Sequence, residues 1–197
     1  MPRLFTAIEI GRDAALSLSL LRGGLPCARW IEPESYHLTL RFAGDIEGRV
    51  ADEIVAGLDR IERAPFQLSL LGLGAFGSRK PHSLYAGVAP CEALDTLQAD
   101  VDRVMRRVGL PSDQRRFTPH VTLARLRNPK AEEVATYLAR RGDFRTLPFP
   151  VSRFALFSSR DSIGGGPYVL EEAFELKGPA RHTGGGASRV ALAWQPR

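Results

Sequence analysis

Cysteine is scarce in this chain of 197 residues: Cys27 and Cys91 are the only two. They stand alone, without CxxC spacing, which excludes a disulfide scaffold and points to isolated structural thiols in a reducing compartment. Long apolar runs are missing too, since no stretch approaches the roughly 20 residues that span a bilayer. The opening Met1-Pro2-Arg3-Leu4-Phe5-Thr6-Ala7-Ile8-Glu9-Ile10 lacks the apolar core and cleavage site of a secretory leader. A cytoplasmic chain without membrane contact is expected. There is no Gly-x-Ser-x-Gly elbow, which argues against a serine hydrolase of that kind. Histidine is limited to His37, His82, His120 and His182, with no third ligand at metal spacing beside any of them, which argues against zinc catalysis. Lysine is nearly absent as well, with only Lys80, Lys130 and Lys177 among 27 basic residues.

What is present is ordinary globular composition, 44% hydrophobic and 25% charged, with a formal charge of +5 and a sequence pI near 9.7. That charge permits binding to a polyanion. Its near-total reliance on arginine fits a phosphate-binding fork and equally a genome rich in arginine codons. Against this background one phrase is written twice: His37-Leu38-Thr39-Leu40 and His120-Val121-Thr122-Leu123, 83 residues apart.

The surrounding pattern repeats with the motif. Residues 3–10 and 37–42 read as strands, separated by a short helix over 12–22. Ile46, Val50, Ile54, Leu58 and Ile61 mark an amphipathic helix with Asp45 as its N-cap, and 66–76 returns to strand. The second half follows the same order: strand 83–89, a helix with Leu94, Leu97, Val101, Val104 and Val108 on one face, strand 120–126, helix 131–140 and strand 149–158. The expectation is one two-lobed domain over 1–177, with an internal repeat of roughly 2–78 and 82–177. A final strand over 168–176 completes the second sheet. Residues 178–197, with Gly184-Gly185-Gly186 and Trp194, form an appended tail.

On a strand, residues i and i+2 share a face about 6.5–7 Å apart, so each His-x-Thr projects an imidazole and a hydroxyl into one space while Leu38 and Val121 face the core. Two imidazoles near neutral pH can act as base and acid in a phosphodiester displacement, and two hydroxyls can donate to the phosphoryl oxygens. His82 and His182 lack such neighbours and read as structural. Arg41 shares a face with His37 and Thr39 by strict alternation and is a candidate nucleotide contact. The chemistry fits turnover of an RNA end or another small cyclic phosphate or nucleotide; a non-catalytic oligonucleotide-binding module would have no need of paired histidines.

The paired motifs, together with Arg3-Leu4-Phe5-Thr6-Ala7-Ile8, Leu73-Gly74-Ala75-Phe76-Gly77 and Phe117-Thr118-Pro119-His120, resemble the RNA 2',3'-cyclic phosphodiesterases, also called the 2'-5' RNA ligase family of two-histidine phosphoesterases. The resemblance covers residues 2 to 177. It implies an α+β bilobal fold, with two antiparallel-rich sheets in pseudo-twofold relation around a central cleft and helices outside. It implies His37 as proton donor, His120 as proton acceptor, and Thr39 and Thr122 as phosphate ligands. The substrate would be RNA ending in a 2',3'-cyclic phosphate, opened to a 2'-phosphomonoester without metal or cofactor by a monomer, with reversible 2'-5' ligation at the same site. Arg125 stands where the family has an arginine five residues after the second histidine, and needs a bulge or a strand end to reach the motif face. Phe5 is a candidate to stack on a base, since Thr6 replaces a second aromatic common among relatives. Arg115-Arg116 could guide an RNA backbone.

Overall fold

The computed structural model describes residues 3–77, 79–113, 116–159 and 168–178. The expected tail beyond Gly178, with His182 and Trp194, lies outside the described residues, as does Arg115. In chain order the elements are β1 (Arg3–Glu9), α1 (Arg12–Ser19), β2 (Ala28–Trp30), β3 (His37–Asp45), α2 (Gly48–Leu58), β4 (Phe66–Leu68), β5 (Leu70–Phe76), β6 (Ser83–Val88), α3 (Glu92–Arg107), β7 (His120–Leu126), α4 (Ala131–Arg141), β8 (Phe149–Val151), β9 (Arg153–Ser159) and β10 (Val169–Glu175). A 3-10 turn, Pro33–Ser35, leads into β3.

One eight-stranded antiparallel sheet makes the body, and it divides into two four-stranded halves in place of the two separate sheets expected. One runs β10-β9-β1-β3; the other is β7-β6-β5, with β2 added along β7. They meet where β3 and β7 pair at Leu38 and Val121. That single pairing seats both motifs at the seam, because Leu38 and Val121 are the residues between the His and Thr of each. β4 and β8 form a separate two-stranded ribbon.

Each half of the sheet draws on both halves of the chain. β5 leaves the first half to pair with β6, and β9 leaves the second half to pair with β1. β10 extends β9, so the last strand closes the half that carries His37 and not the one that carries His120. The stretch 66–76 divides at Ser69 because β4 finds its partner in β8 while β5 finds β6. Asp45 is not a helix cap. The β1 pairing extends to Arg3 opposite Asp45, whose carboxylate lies 3.7 Å from that guanidinium, and α2 starts three residues later with Glu47 at the cap position.

All four helices cover one face. Leu18 of α1, Ile54 and Leu58 of α2, Leu97 and Val101 of α3 and Val134 of α4 join Leu4, Ile8, Leu38, Leu84 and Val121 in one buried core. α3 shows why such a helix forms: its apolar residues recur every three or four positions, Glu92 and Asp95 sit in its first turn, and Arg106 and Arg107 sit in its last, matching the helix dipole. The opposite face of the sheet is left to the motifs. Among the described residues no helix is long and apolar enough to cross a membrane.

Candidate active site

The two motif strands bend in the same way. In β3, Ala7 faces Thr39 and Thr6 faces Arg41, so Leu40 has no partner of its own on β1. In β7, Tyr85 faces Thr122 and Leu84 faces Ala124, so Leu123 is likewise unmatched on β6. Each is a β-bulge, and it inverts the alternation beyond it. The burial pattern records this: His37 through Phe42 and His120 through Arg125 follow one sequence of half-buried and buried residues, with two consecutive buried residues at the bulge and an exposed one after it. The residue five places after each histidine therefore returns to the motif face. It is Phe42 in β3 and Arg125 in β7.

Both histidines are held identically. His37 Nδ1 donates to the Ser35 carbonyl at 2.8 Å, and His120 Nδ1 donates to the Thr118 carbonyl at 2.7 Å. A carbonyl only accepts, so each neutral ring carries its proton on Nδ1 and leaves the Nε2 lone pair unprotonated. Burial pushes the His37 pKa below the ordinary imidazole value, the Ser35 hydrogen bond opposes it, and the charges of His120 and Arg125 add to the lowering. Burial lowers His120 as well, opposed by its bond to Thr118 and reinforced by Arg125. The effect of Arg125 on both rings, and of His120 on His37, places both imidazoles and the Arg125 guanidinium within one electrostatic neighbourhood.

Thr39 and Thr122 are half-buried on the histidine face, and neither hydroxyl has a hydrogen-bond partner among the described residues. Thr6 shows the contrast, donating to the Arg41 carbonyl at 3.2 Å in full burial.

Arg41 is not a nucleotide contact. The bulge at Leu40 turns it to the helix side, where it is 8% exposed. There its Nε donates to Asp102 of α3 at 2.9 Å, its Nη1 donates to the Phe42 carbonyl at 3.1 Å and lies 3.8 Å from Asp113, and its Nη2 donates to the Pro111 carbonyl. Phe5 is also withdrawn from solvent, at 2% exposed. Its ring packs on Phe157 at 5.5 Å, Phe42 at 5.6 Å and His37 at 5.1 Å, which leaves no face for a base; it supports the histidine from below.

Other aromatic neighbours escape a sequence reading. Tyr168 meets His37 edge-on at 4.9 Å, while Phe76 at 4.8 Å and Tyr85 at 5.5 Å flank His120. Tyr85 lies across β5 at Gly74, where a Cβ would come within 2.5 Å of its ring, so that glycine makes room for the wall beside His120. The Tyr85 placement could have been read from alternation in its strand; those of Tyr168 and Phe76 arise only from pairing between halves of the chain. His82 is exposed and stacks loosely on Phe76 at 6.4 Å. Cys27 is half-buried, and burial pushes its thiol pKa up.

A cavity of about 510 Å³ lies on the helix side between α2 and α3, lined in part by Gly57, Arg63, Asp100, Arg103 and Val104. It contains no motif residue. Among the described residues no three His, Cys, Asp or Glu side chains are grouped to hold a metal ion.

A family model described as the 2'-5' RNA ligase superfamily matches residues 26–162, a span that holds both motif strands. The chain is 32% identical over 158 residues to the RNA 2',3'-cyclic phosphodiesterase of Aquifex aeolicus, covering 76% of this chain and 82% of that one. It is 33% identical over 153 residues to the protein of the same name from Aeropyrum pernix, covering 76% and 86%. Its fold matches the crystal structure of TT0787 of Thermus thermophilus with a TM-score of 0.76 at 25% identity, over 90% of this chain and 100% of that one. Duplicated motif, the seam between the halves of the sheet and sequence similarity agree, and the chain belongs to the 2'-5' RNA ligase superfamily.

Proposed function

We propose that this protein is an RNA 2',3'-cyclic phosphodiesterase that opens the cyclic phosphate at an RNA end to a 2'-phosphomonoester by metal-independent acid-base catalysis. The observation that carries this reading is the matched pair of imidazoles, each locked as the Nδ1–H tautomer by a backbone carbonyl two residues earlier. The names of the Aquifex and Aeropyrum relatives support the substrate class.

In this scheme His120 Nε2 takes a proton from water as its oxygen bonds to phosphorus. His37, protonated on Nε2, gives that proton to the 3'-oxygen as the P–O3' bond breaks. Thr39 and Thr122 donate to the non-bridging oxygens, and Arg125 balances their negative charge. Every proton is accounted for by the two rings, so none has to come from a metal-bound water. With an RNA 5'-hydroxyl in place of water the same two transfers form a 2'-5' bond, and run in the other direction they cleave it. The depressed histidine pKa values suit the base directly; the acid is charged when the phosphate anion lies beside it, since a nearby negative charge favours imidazolium.

The test is hydrolysis of a short RNA ending in 2',3'-cyclic phosphate, in excess EDTA, by the protein and by His37→Ala and His120→Ala. Turnover is expected to survive EDTA and to fall by about a hundredfold or more in each variant, the range of a lost general acid or base. Abolition by EDTA refutes metal independence, full activity in either variant refutes the two-histidine scheme, and a 3'-phosphate product refutes the assigned leaving group.

A further inference from the structure

In the β2–β7 pairing Arg29 stands directly opposite Arg125. Directly opposed residues of antiparallel strands project from the same face with Cβ atoms about 5 Å apart. That face is the motif face, because the bulge at Leu123 returns Arg125 to it, while Ala28, Trp30, Ala124 and Leu126 take the core side. Both arginines are exposed. Neither has an acidic partner among the described residues, although Arg41, Arg63, Arg106 and Arg153 all do. Like charges facing each other across a sheet are destabilising. Two free guanidinium groups held together beside the catalytic histidines therefore form a site for an anion from outside the chain. The corresponding place on the other motif strand is Phe42, so the positive charge is confined to the His120 side.

We propose that Arg29, held beside Arg125, forms a second anion subsite that binds the phosphodiester group on the 5' side of the terminal nucleotide, while Arg125 stays with the reacting phosphate. The assignment rests on the phosphodiesterase reading. In an RNA whose 3' end is the cyclic phosphate, every other phosphate lies on the 5' side, so the nearest further anion is the link to the preceding nucleotide. β2 pairs with the edge of β7 that also meets β3 at Val121, since β6 takes the other edge, so Arg29 stands about 4.8 Å from β7 on its seam side and continues the positive charge along the seam, past the motif, from the reacting phosphate. Arginine forks grip phosphate oxygens in pairs. The subsite makes the enzyme one for RNA ends in preference to free cyclic mononucleotides, without any reading of base sequence.

Three substrates separate the sources of that anion: adenosine 2',3'-cyclic phosphate, the same compound with a 5'-phosphate, and the dinucleotide ApA ending in the cyclic phosphate. The protein is expected to show a KM for the dinucleotide about tenfold below that for the cyclic mononucleoside, the scale of one charged hydrogen-bonding contact. Arg29→Gln should erase most of that preference through KM, with kcat for the dinucleotide within about twofold and Arg29→Lys restoring part of it. The slope of log kcat/KM against log salt should fall by about 0.7 for the dinucleotide. The unfolding midpoint of Arg29→Gln should be unchanged or raised, since a like-charge contact is removed. An undiminished preference in Arg29→Gln, an equal loss on all three substrates, or a lowered midpoint overturns the subsite while leaving the phosphodiesterase reading intact. A gain confined to the 5'-phosphorylated mononucleotide overturns the phosphodiester assignment. Failure of the protein to hydrolyse any of the three overturns the phosphodiesterase reading and the subsite with it.

Discussion

Arg41→Ala separates a structural arginine from a substrate-binding one. Its guanidinium ties β3 to α3 through Asp102 at 2.9 Å and to the segment after α3 through the Pro111 carbonyl and Asp113. Breaking a buried ion pair costs about 3–5 kcal/mol when the remaining charge is left alone. Here Asp102 is 20% exposed and keeps Arg106 at 2.9 Å, so the loss falls near the lower end. A cost of about 3 kcal/mol raises the unfolding constant by about 150-fold at 1.36 kcal/mol per tenfold. It lowers the melting temperature by roughly 6–12 °C for a chain of this size. Urea unfolding followed by circular dichroism measures the first, and a thermal scan the second. Cyclic phosphate hydrolysis, assayed at a temperature where the variant is folded, should keep kcat and KM within about threefold. A double-mutant cycle with Asp102→Asn should give a coupling of about 1–3 kcal/mol. Unchanged stability together with a tenfold or greater rise in KM would refute the placement, and with it the bulge at Leu40 that turns Arg41 away from the motif face.

The histidine environment sets a pH dependence. Both pKa values lie below the ordinary value near 6.5, and the proposed scheme needs one ring neutral and one charged in the free enzyme, so kcat/KM should peak below pH 6.5 and fall as pH rises. The bound phosphate favours the charged rings, so the alkaline limb of kcat should lie at higher pH than that of kcat/KM; coincident limbs would refute this. The same lowering means that the unfolded chain binds more protons than the native state below about pH 6.5. The stabilisation from neutral rings is therefore full above that pH and is lost as pH falls through the lowered native values. The double variant His37→Ala/His120→Ala should show a shallower acid-side fall in melting temperature. Tyr36 is 4% exposed, its hydroxyl has no hydrogen-bond partner among the described residues, and burial pushes its pKa up to about 12. Tyr36→Phe should leave stability unchanged or raise it by up to about 1 kcal/mol in urea titration, and a loss above that would show a satisfied hydroxyl.

Much of the chemistry was legible because it is local. A period of two puts His37 with Thr39 and His120 with Thr122 whatever surrounds them, and the spacing of Leu94, Leu97 and Val101 makes one apolar stripe on any helix. Features that depend on a neighbouring strand were not legible. Alternation alone puts Arg41 on the motif face and Arg125 off it; the bulges at Leu40 and Leu123 reverse both assignments, and they exist because of the registers of β1 and β6. Phe5 looks available to a base until Phe157 and Phe42 close over it. β2, three residues long, carries no periodic signal, yet it sets Arg29 against Arg125. The sequence by itself determined the paired imidazoles and hydroxyls and the face they share along each strand, since these follow from backbone geometry within a few residues. Only the tertiary structure decided how the strands exchange between the two halves of the sheet, how the motifs meet at Leu38 and Val121, and which arginines share the motif face, because those outcomes are set by hydrogen bonds between segments far apart in the chain.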